Sequence, residues 1–149
     1  ARVHREGFVG LVGGQRVLFI HGDELCTLDR GYQRLKSVLR SPPMMWTAPR
    51  LPRAVALGIA KRLRSTSQHA VYAKPASEKE QQRAEVARLA VANSSSTLVC
   101  GHAHEFRDER LDPTAVRWIV LDAFGGTRDV LRVGEQGALE LRGSRAGRA

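Results

Sequence analysis

The sequence has 149 residues, of which 42% are hydrophobic and 26% charged, and its formal net charge is +9. These values are typical of one globular domain and exclude a low-complexity chain. No apolar run is long enough for a membrane span, and the two cysteines, Cys26 and Cys100, are expected to be reduced thiols in a cytoplasmic protein.

Two strands are predicted at the start of the chain. Apolar residues recur over 7–12 and 16–20, and Gly13 and Gly14 between them favour a hairpin turn. The second strand runs directly into His21-Gly22-Asp23. An imidazole therefore follows the carboxyl end of a predicted buried strand.

A basic segment follows. Between Arg30 and Ser77 there is no Asp or Glu, and there are ten Lys or Arg residues. Two amphipathic helices are predicted here, over 30–40 with Asp29 as N-cap and over 51–64, with residues 44–46 in a loop and 65–76 irregular. Uncompensated positive charge favours a polyanionic partner, and the neighbouring apolar residues favour a membrane or lipid phosphate. A plain helical hairpin packed on the sheet is the alternative.

The remaining elements are strands after one more helix. A capping box at residues 77–80 predicts a helix to about Ala92, and the apolar run 97–100 predicts a buried strand. Residues 105–113 are expected to form a charged loop, 118–123 a strand, and 130–133 with 138–141 a closing hairpin. The order of elements predicts an α/β fold.

The run Gly101-His102-Ala103-His104 follows the strand at 97–100, as His21 follows an earlier strand. Ligands and metals collect at the carboxyl edge of open α/β sheets, and imidazole is a common ligand of first-row metals. His21, His102 and His104 are therefore candidate metal ligands. His4 and His69 lie in polar surroundings and are expected to face solvent.

The sequence resembles a known family at these residues. The pair of motifs His21-Gly22-Asp23 and Gly101-His102-Ala103-His104 is similar to the last two motifs of the calcineurin-like metallophosphoesterases. Within that family, the run from His21 to Gln33, with Leu25-Cys26-Thr27 and Asp29, most resembles the UDP-2,3-diacylglucosamine pyrophosphatases of lipid A synthesis. The resemblance covers roughly residues 21–121.

This resemblance implies an architecture. It predicts the C-terminal part of a four-layer α/β/β/α sandwich with a helical lid insertion. The sheet portion would comprise residues 1–29 and 94–142 and the lid residues 30–93, and residues 143–149 are expected to be a disordered tail.

The resemblance also implies a hydrolase with two divalent metals, usually Mn²⁺. His21 and His102 would bind one metal and His104 the other, while Asp29, Ser67 and Lys74 would contact the substrate. A third lid contact falls at Val71, where the lipid enzyme carries a polar residue. The implied reaction is hydrolysis of a pyrophosphate or phosphodiester bond in a UDP-sugar lipid, by a cytoplasmic protein peripheral to the inner membrane.

Several motifs of that family are absent from the sequence, namely Asp-x-His, Gly-Asp-x-x-Asp and Gly-Asn-His or Gly-Asn-Arg. We expect them in a segment upstream of Ala1 or in a separate chain; an inactive remnant is the alternative. Two other functions remain open. One is a metallophosphoesterase acting on a nucleotide or another phosphodiester, and the other is a non-catalytic, basic nucleic-acid-binding module.

Overall fold

The computed structural model describes residues 7–73, 75 and 80–144, without the side chains of 66–73. The chain divides into two compact units. The first contains residues 1–26 and 81–149, and the second contains residues 27–80. The helix that precedes the third strand belongs to the first unit, whereas the sequence analysis placed it with the lid.

The first unit is built on a five-stranded mixed sheet. Its strands are β1 (Phe8–Val12), β2 (Gln15–Phe19), β3 (Thr97–Cys100), β4 (Arg107–Leu111) and β5 (Val116–Val120), in the spatial order β1-β2-β3-β5-β4. The three central strands are parallel, and the edge strands β1 and β4 run antiparallel to their neighbours. The predicted α/β class and the Gly13-Gly14 hairpin are confirmed.

Both faces of this sheet are covered, because successive side chains of a strand point to opposite faces. On one face, Leu98 and Trp118 pack with Val86 and Ala90 of helix α4 (Arg83–Ala92). The other face carries Val17, Val99 and Ile119, against which the hairpin β6 (Val130–Val133) and β7 (Leu139–Arg142) packs. The first unit thus has three layers, helix, sheet and hairpin, and the predicted fourth layer remains a prediction.

The second unit is helical. It contains α1 (Arg30–Leu39), α2 (Pro42–Thr47) and α3 (Arg53–Ala73), with a 3₁₀ turn at Ala48–Arg50. Asp29 begins α1 as predicted, since its Oδ1 accepts a hydrogen bond from the Tyr32 backbone N–H at 2.9 Å. None of the described helices combines the length and apolar character that a membrane crossing requires.

Four predicted elements are corrected. Residues 44–46 belong to a short helix rather than a loop, because Pro42 and Pro43 occupy its first turn, where no backbone donor is needed. Residues 65–73 continue α3 instead of being irregular. The charged segment 105–113 contains an edge strand, β4. The helix α4 begins at Arg83, and residues 77–79 of the predicted capping box lie outside the described residues.

Candidate functional site

Two neighbouring parallel strands bring His21 and His102 to the same edge of the sheet. β2 and β3 pair in register, with Phe19 opposite Val99. The pairing continues past the strand ends, where the Ile20 N–H donates to the Val99 carbonyl at 3.1 Å. His21 and His102 each follow their strand by two residues, so parallel pairing places both at the carboxyl edge of the sheet.

The two imidazole rings are in direct contact. Nδ1 of His102 lies 3.3 Å from Nε2 of His21, and the ring planes meet at 72°. His21 is exposed and His102 is half-buried. The predicted approach of two histidines from separate strands is therefore present in the structure.

The backbone of the second loop is sharply curled. His102 and His104 have φ angles of 69° and 56°, in the left-handed region that residues other than glycine seldom adopt. Such conformations persist only where the surrounding structure holds them, and they cluster at functional sites. The imidazole of His104 is exposed.

The loops carrying the two histidines are tied together by a residue that the sequence analysis did not select. The Gln81 side chain is buried, and its Nε2 donates to the carbonyls of Gly22 at 3.2 Å and Gly101 at 2.9 Å. A backbone bond adds to this link, since the Gly101 N–H donates to the His21 carbonyl at 3.1 Å. Gln81 lies in a polar stretch without apolar periodicity, and no sequence signal distinguishes it.

The electrostatics of the site keep His102 neutral. Burial lowers the pKa of His102, and the neighbouring His21 lowers it further, while the Asp23 carboxylate acts in the opposite direction. Because the net shift is downward, it favours the neutral form of His102. A neutral ring has a lone pair with which to bind a cation.

Beneath the histidines lies a buried thiol. Burial raises the pKa of Cys100 to about 11, so this residue stays a thiol at neutral pH. Its sulfur accepts a hydrogen bond from the Trp118 indole at 3.4 Å, and its S–H is directed at Gln81 Oε1, 3.8 Å away. Neither Cys26 nor Cys100 forms a disulfide, as expected, and both are buried.

The remaining candidate residues belong to the second unit or lie outside the description. Asp29 is buried at the start of α1, and Ser67 and Val71 lie in α3, as does His69. Lys74 and His4 lie outside the described residues. Among the side chains that the structure describes, no three His, Cys, Asp or Glu residues are grouped as a metal site would require.

Comparisons with known proteins identify similar sequences. The chain is 36% identical over 128 residues to proteins named UDP-2,3-diacylglucosamine hydrolase from Pseudomonas putida and Pseudomonas entomophila, and 32% identical over 129 residues to one from Azotobacter vinelandii. Each alignment covers 85% of this chain and 53% or 54% of the relative. The chain thus spans about half the length of the relatives it matches. No family model matches it.

Proposed function

We propose that this chain forms part of a metal-dependent phosphohydrolase of the calcineurin-like class that cleaves the pyrophosphate bond of UDP-2,3-diacylglucosamine. The observation that carries the proposal is the contact between His21 and His102 at the carboxyl edge of the sheet, 3.3 Å between ring nitrogens. The names of the similar proteins, at 32% to 38% identity, support the choice of substrate.

The histidine pair fits two ligand positions of one metal ion. Nitrogens bound to one ion at about 2.1 Å lie about 3.0 Å apart in octahedral geometry and about 3.4 Å apart in tetrahedral geometry. The observed separation of 3.3 Å falls within this interval. In the proposal His21 and His102 hold one divalent ion, Mn²⁺, and His104 contributes to a second.

Neutral imidazoles suit an anionic substrate, because they hold a cation without cancelling its charge. Two divalent ions, when bound, neutralise phosphoryl oxygens and lower the pKa of a coordinated water. The lowered pKa of His102 keeps this ring in the form that binds metal. Its partial burial limits the number of ring conformations, so the lone pair is already directed when a cation arrives.

A two-metal site needs more ligands than these histidines. A pair of hard cations at the usual separation of about 3.5–4 Å requires bridging and terminal oxygen ligands in addition to imidazole. In the proposal these ligands come from the part of the relatives' length that this chain does not match. That part would lie in a preceding segment of the same protein or in a separate chain.

The second unit is proposed to hold the substrate. Its sequence includes the ten basic residues of the segment 30–77, which contains no carboxylate to neutralise them. In the proposal Asp29, Ser67 and Lys74 contact the substrate, and the cations attract its phosphates.

Exposed apolar side chains of the second unit are proposed to receive acyl chains and to meet the membrane surface. Trp46 is 62% exposed, with the guanidinium of Arg50 stacked 4.1 Å above its ring. Met45, Leu51 and Val55 are exposed nearby in sequence. Amphipathic helices with basic and aromatic residues bind anionic membrane surfaces. We place the protein at the cytoplasmic face of the inner membrane.

The proposal is tested by the release of UMP from UDP-2,3-diacylglucosamine by the purified protein at its natural full length. We expect Mn²⁺-dependent release that EDTA abolishes, and a much lower rate on the same UDP-sugar without acyl chains. Equal rates on the two substrates would contradict the lipid assignment and favour an enzyme for another phosphodiester. Tight, salt-dependent binding to mixed DNA without metal uptake would favour the nucleic-acid-binding alternative.

A further inference from the structure

The carboxamide of Gln81 connects two loops that are distant in sequence. Its Nε2 donates hydrogen bonds to the carbonyl oxygens of Gly22 and Gly101, at 3.2 and 2.9 Å. Gly22 directly follows His21, and Gly101 directly precedes His102. One planar amide therefore spans the backbone positions adjacent to both histidines.

The amide orientation is fixed by its neighbours. Both carbonyls are acceptors, so they face the NH₂ group, and the Oε1 atom faces the Cys100 thiol. The side chain is only 4% exposed, so water does not readily replace a lost partner. A buried carbonyl left without a donor is unfavourable, so the loops would shift to recover hydrogen bonds.

The backbone around Gln81 is closely packed. A Cβ atom on Gly22 would lie 2.6 Å from Gln81 Nε2, so only glycine allows the amide to approach this closely. The next residue anchors the segment as well, because the Gln82 N–H donates to the Leu25 carbonyl at 2.9 Å. These contacts fix the position of Gln81 relative to the two loops.

We propose that Gln81 is a positioning residue that sets the spacing of the His21 and His102 rings. It acts on them through the carbonyls of Gly22 and Gly101, to which its amide donates hydrogen bonds. The inference rests on the proposed function for its consequence, since ring spacing determines whether both imidazoles reach one metal ion. Partners that orient metal ligands typically contribute 10–100-fold to affinity.

The test compares variants by their histidine ring signals. Gln81→Met keeps the length of the side chain and removes both donors. Val86→Ala is the control, because it weakens the core of the first unit, in which Val86 is fully buried, and retains both donors of Gln81. Long-range ¹H–¹⁵N spectra of the metal-free, full-length protein report ring hydrogen bonding. We expect shifted His21 and His102 signals in Gln81→Met and unchanged signals in Val86→Ala. Wild-type signals in Gln81→Met would overturn the proposal.

A second measurement needs no variant. In the wild-type protein, couplings through hydrogen bonds should join the Gln81 side-chain nitrogen to the carbonyl carbons of Gly22 and Gly101. Their absence would overturn the proposal even if Gln81→Met fails to fold. Gln81→Glu, which replaces the NH₂ group by an oxygen of the same size, should shift the ring signals as Gln81→Met does.

Metal binding separates this inference from the proposed function. Titration with Mn²⁺ should show a Kd raised about 10–100-fold in Gln81→Met relative to the wild type and Val86→Ala. An unchanged Kd in Gln81→Met would overturn the positioning role. A wild-type protein that binds no Mn²⁺, with the ring signals still dependent on Gln81, would refute the proposed function and leave the spacing role intact.

Discussion

Nε2 of His21 and Nδ1 of His102 lie 3.3 Å apart, although 81 positions separate the two residues in sequence. The contact follows from parallel pairing of β2 and β3, which end at the same edge of the sheet. Burial keeps one of the rings neutral, and a buried amide links the loops on which both are carried. The arrangement thus places two ring nitrogens side by side on loops that share a hydrogen-bonded support.

Replacing Gly22 by alanine is expected to lower the free energy of unfolding by about 2–4 kcal/mol. Gly22 has a φ of 109°, and an added Cβ would lie 2.6 Å from Gln81 Nε2 and 3.0 Å from the Gly101 carbonyl oxygen. Urea denaturation measures the loss. Gly14→Ala is the matched control, because its φ is 77° but no atom lies within 4 Å of the added Cβ. Its expected cost is about 1–2 kcal/mol, from backbone strain alone. Equal losses in the two variants would argue against tight packing at Gly22.

Two substitutions at Asp29 separate its structural and proposed functional roles. Asp29→Ala removes the acceptor for the Tyr32 N–H and should destabilise the start of α1 by about 0.5–2 kcal/mol. Asp29→Ser retains a capping oxygen but loses the carboxylate. We expect a raised KM for UDP-2,3-diacylglucosamine in both variants, and reduced amide-exchange protection of α1 only in Asp29→Ala. A wild-type KM in Asp29→Ser would show that the carboxylate serves only as a helix cap and does not bind substrate.

The ion pair of Asp108 and Arg117 should give the protein a small acid sensitivity. Arg117 donates two hydrogen bonds to Asp108, at 2.9 and 2.7 Å, and thereby lowers the pKa of that carboxyl. Since the folded pKa lies below the unfolded value of about 3.9, the stabilisation is present above that value and is lost as pH falls through the folded pKa. The pair is partly exposed, so its contribution is less than about 1 kcal/mol.

Asp108→Asn measures this contribution. The variant should be slightly less stable than the wild type at pH 7, and the difference should shrink at a pH below the unfolded pKa of about 3.9. Urea midpoints at the two pH values provide the comparison. A difference that persists unchanged at low pH would show that the ion pair is not its source.

Elements with clear apolar periodicity were predictable from the sequence. The strands β2 and β3 and the hairpin β6–β7 were predicted within one residue of their observed positions, because each is a short run rich in apolar residues and bounded by turn residues. The proximity of His21 and His102 was predictable for the same reason, because each follows one of these strands. Their roles as metal ligands remain a prediction.

Other elements carried no such signal. β4 reads Arg-Asp-Glu-Arg-Leu, and such a charged sequence, typical of an edge strand, resembles a loop. The extension of α3 to Ala73 lacks apolar spacing. Gln81 is buried by contacts with two loops that are distant in sequence, and a local sequence pattern does not reveal such contacts.

The central claim is that the histidine pair belongs to a metal-dependent hydrolytic site, and His21→Ala tests it most directly. His21 is exposed, so its loss leaves the core intact, which circular dichroism would verify. The control is Glu105→Ala, an exposed residue beside His104. The measurement is the rate of Mn²⁺-dependent UMP release from UDP-2,3-diacylglucosamine by the full-length protein. We predict a fall of more than about 100-fold in His21→Ala, since loss of an outer-shell partner alone costs 10–100-fold, and no change in Glu105→Ala. A wild-type rate in His21→Ala would contradict the account.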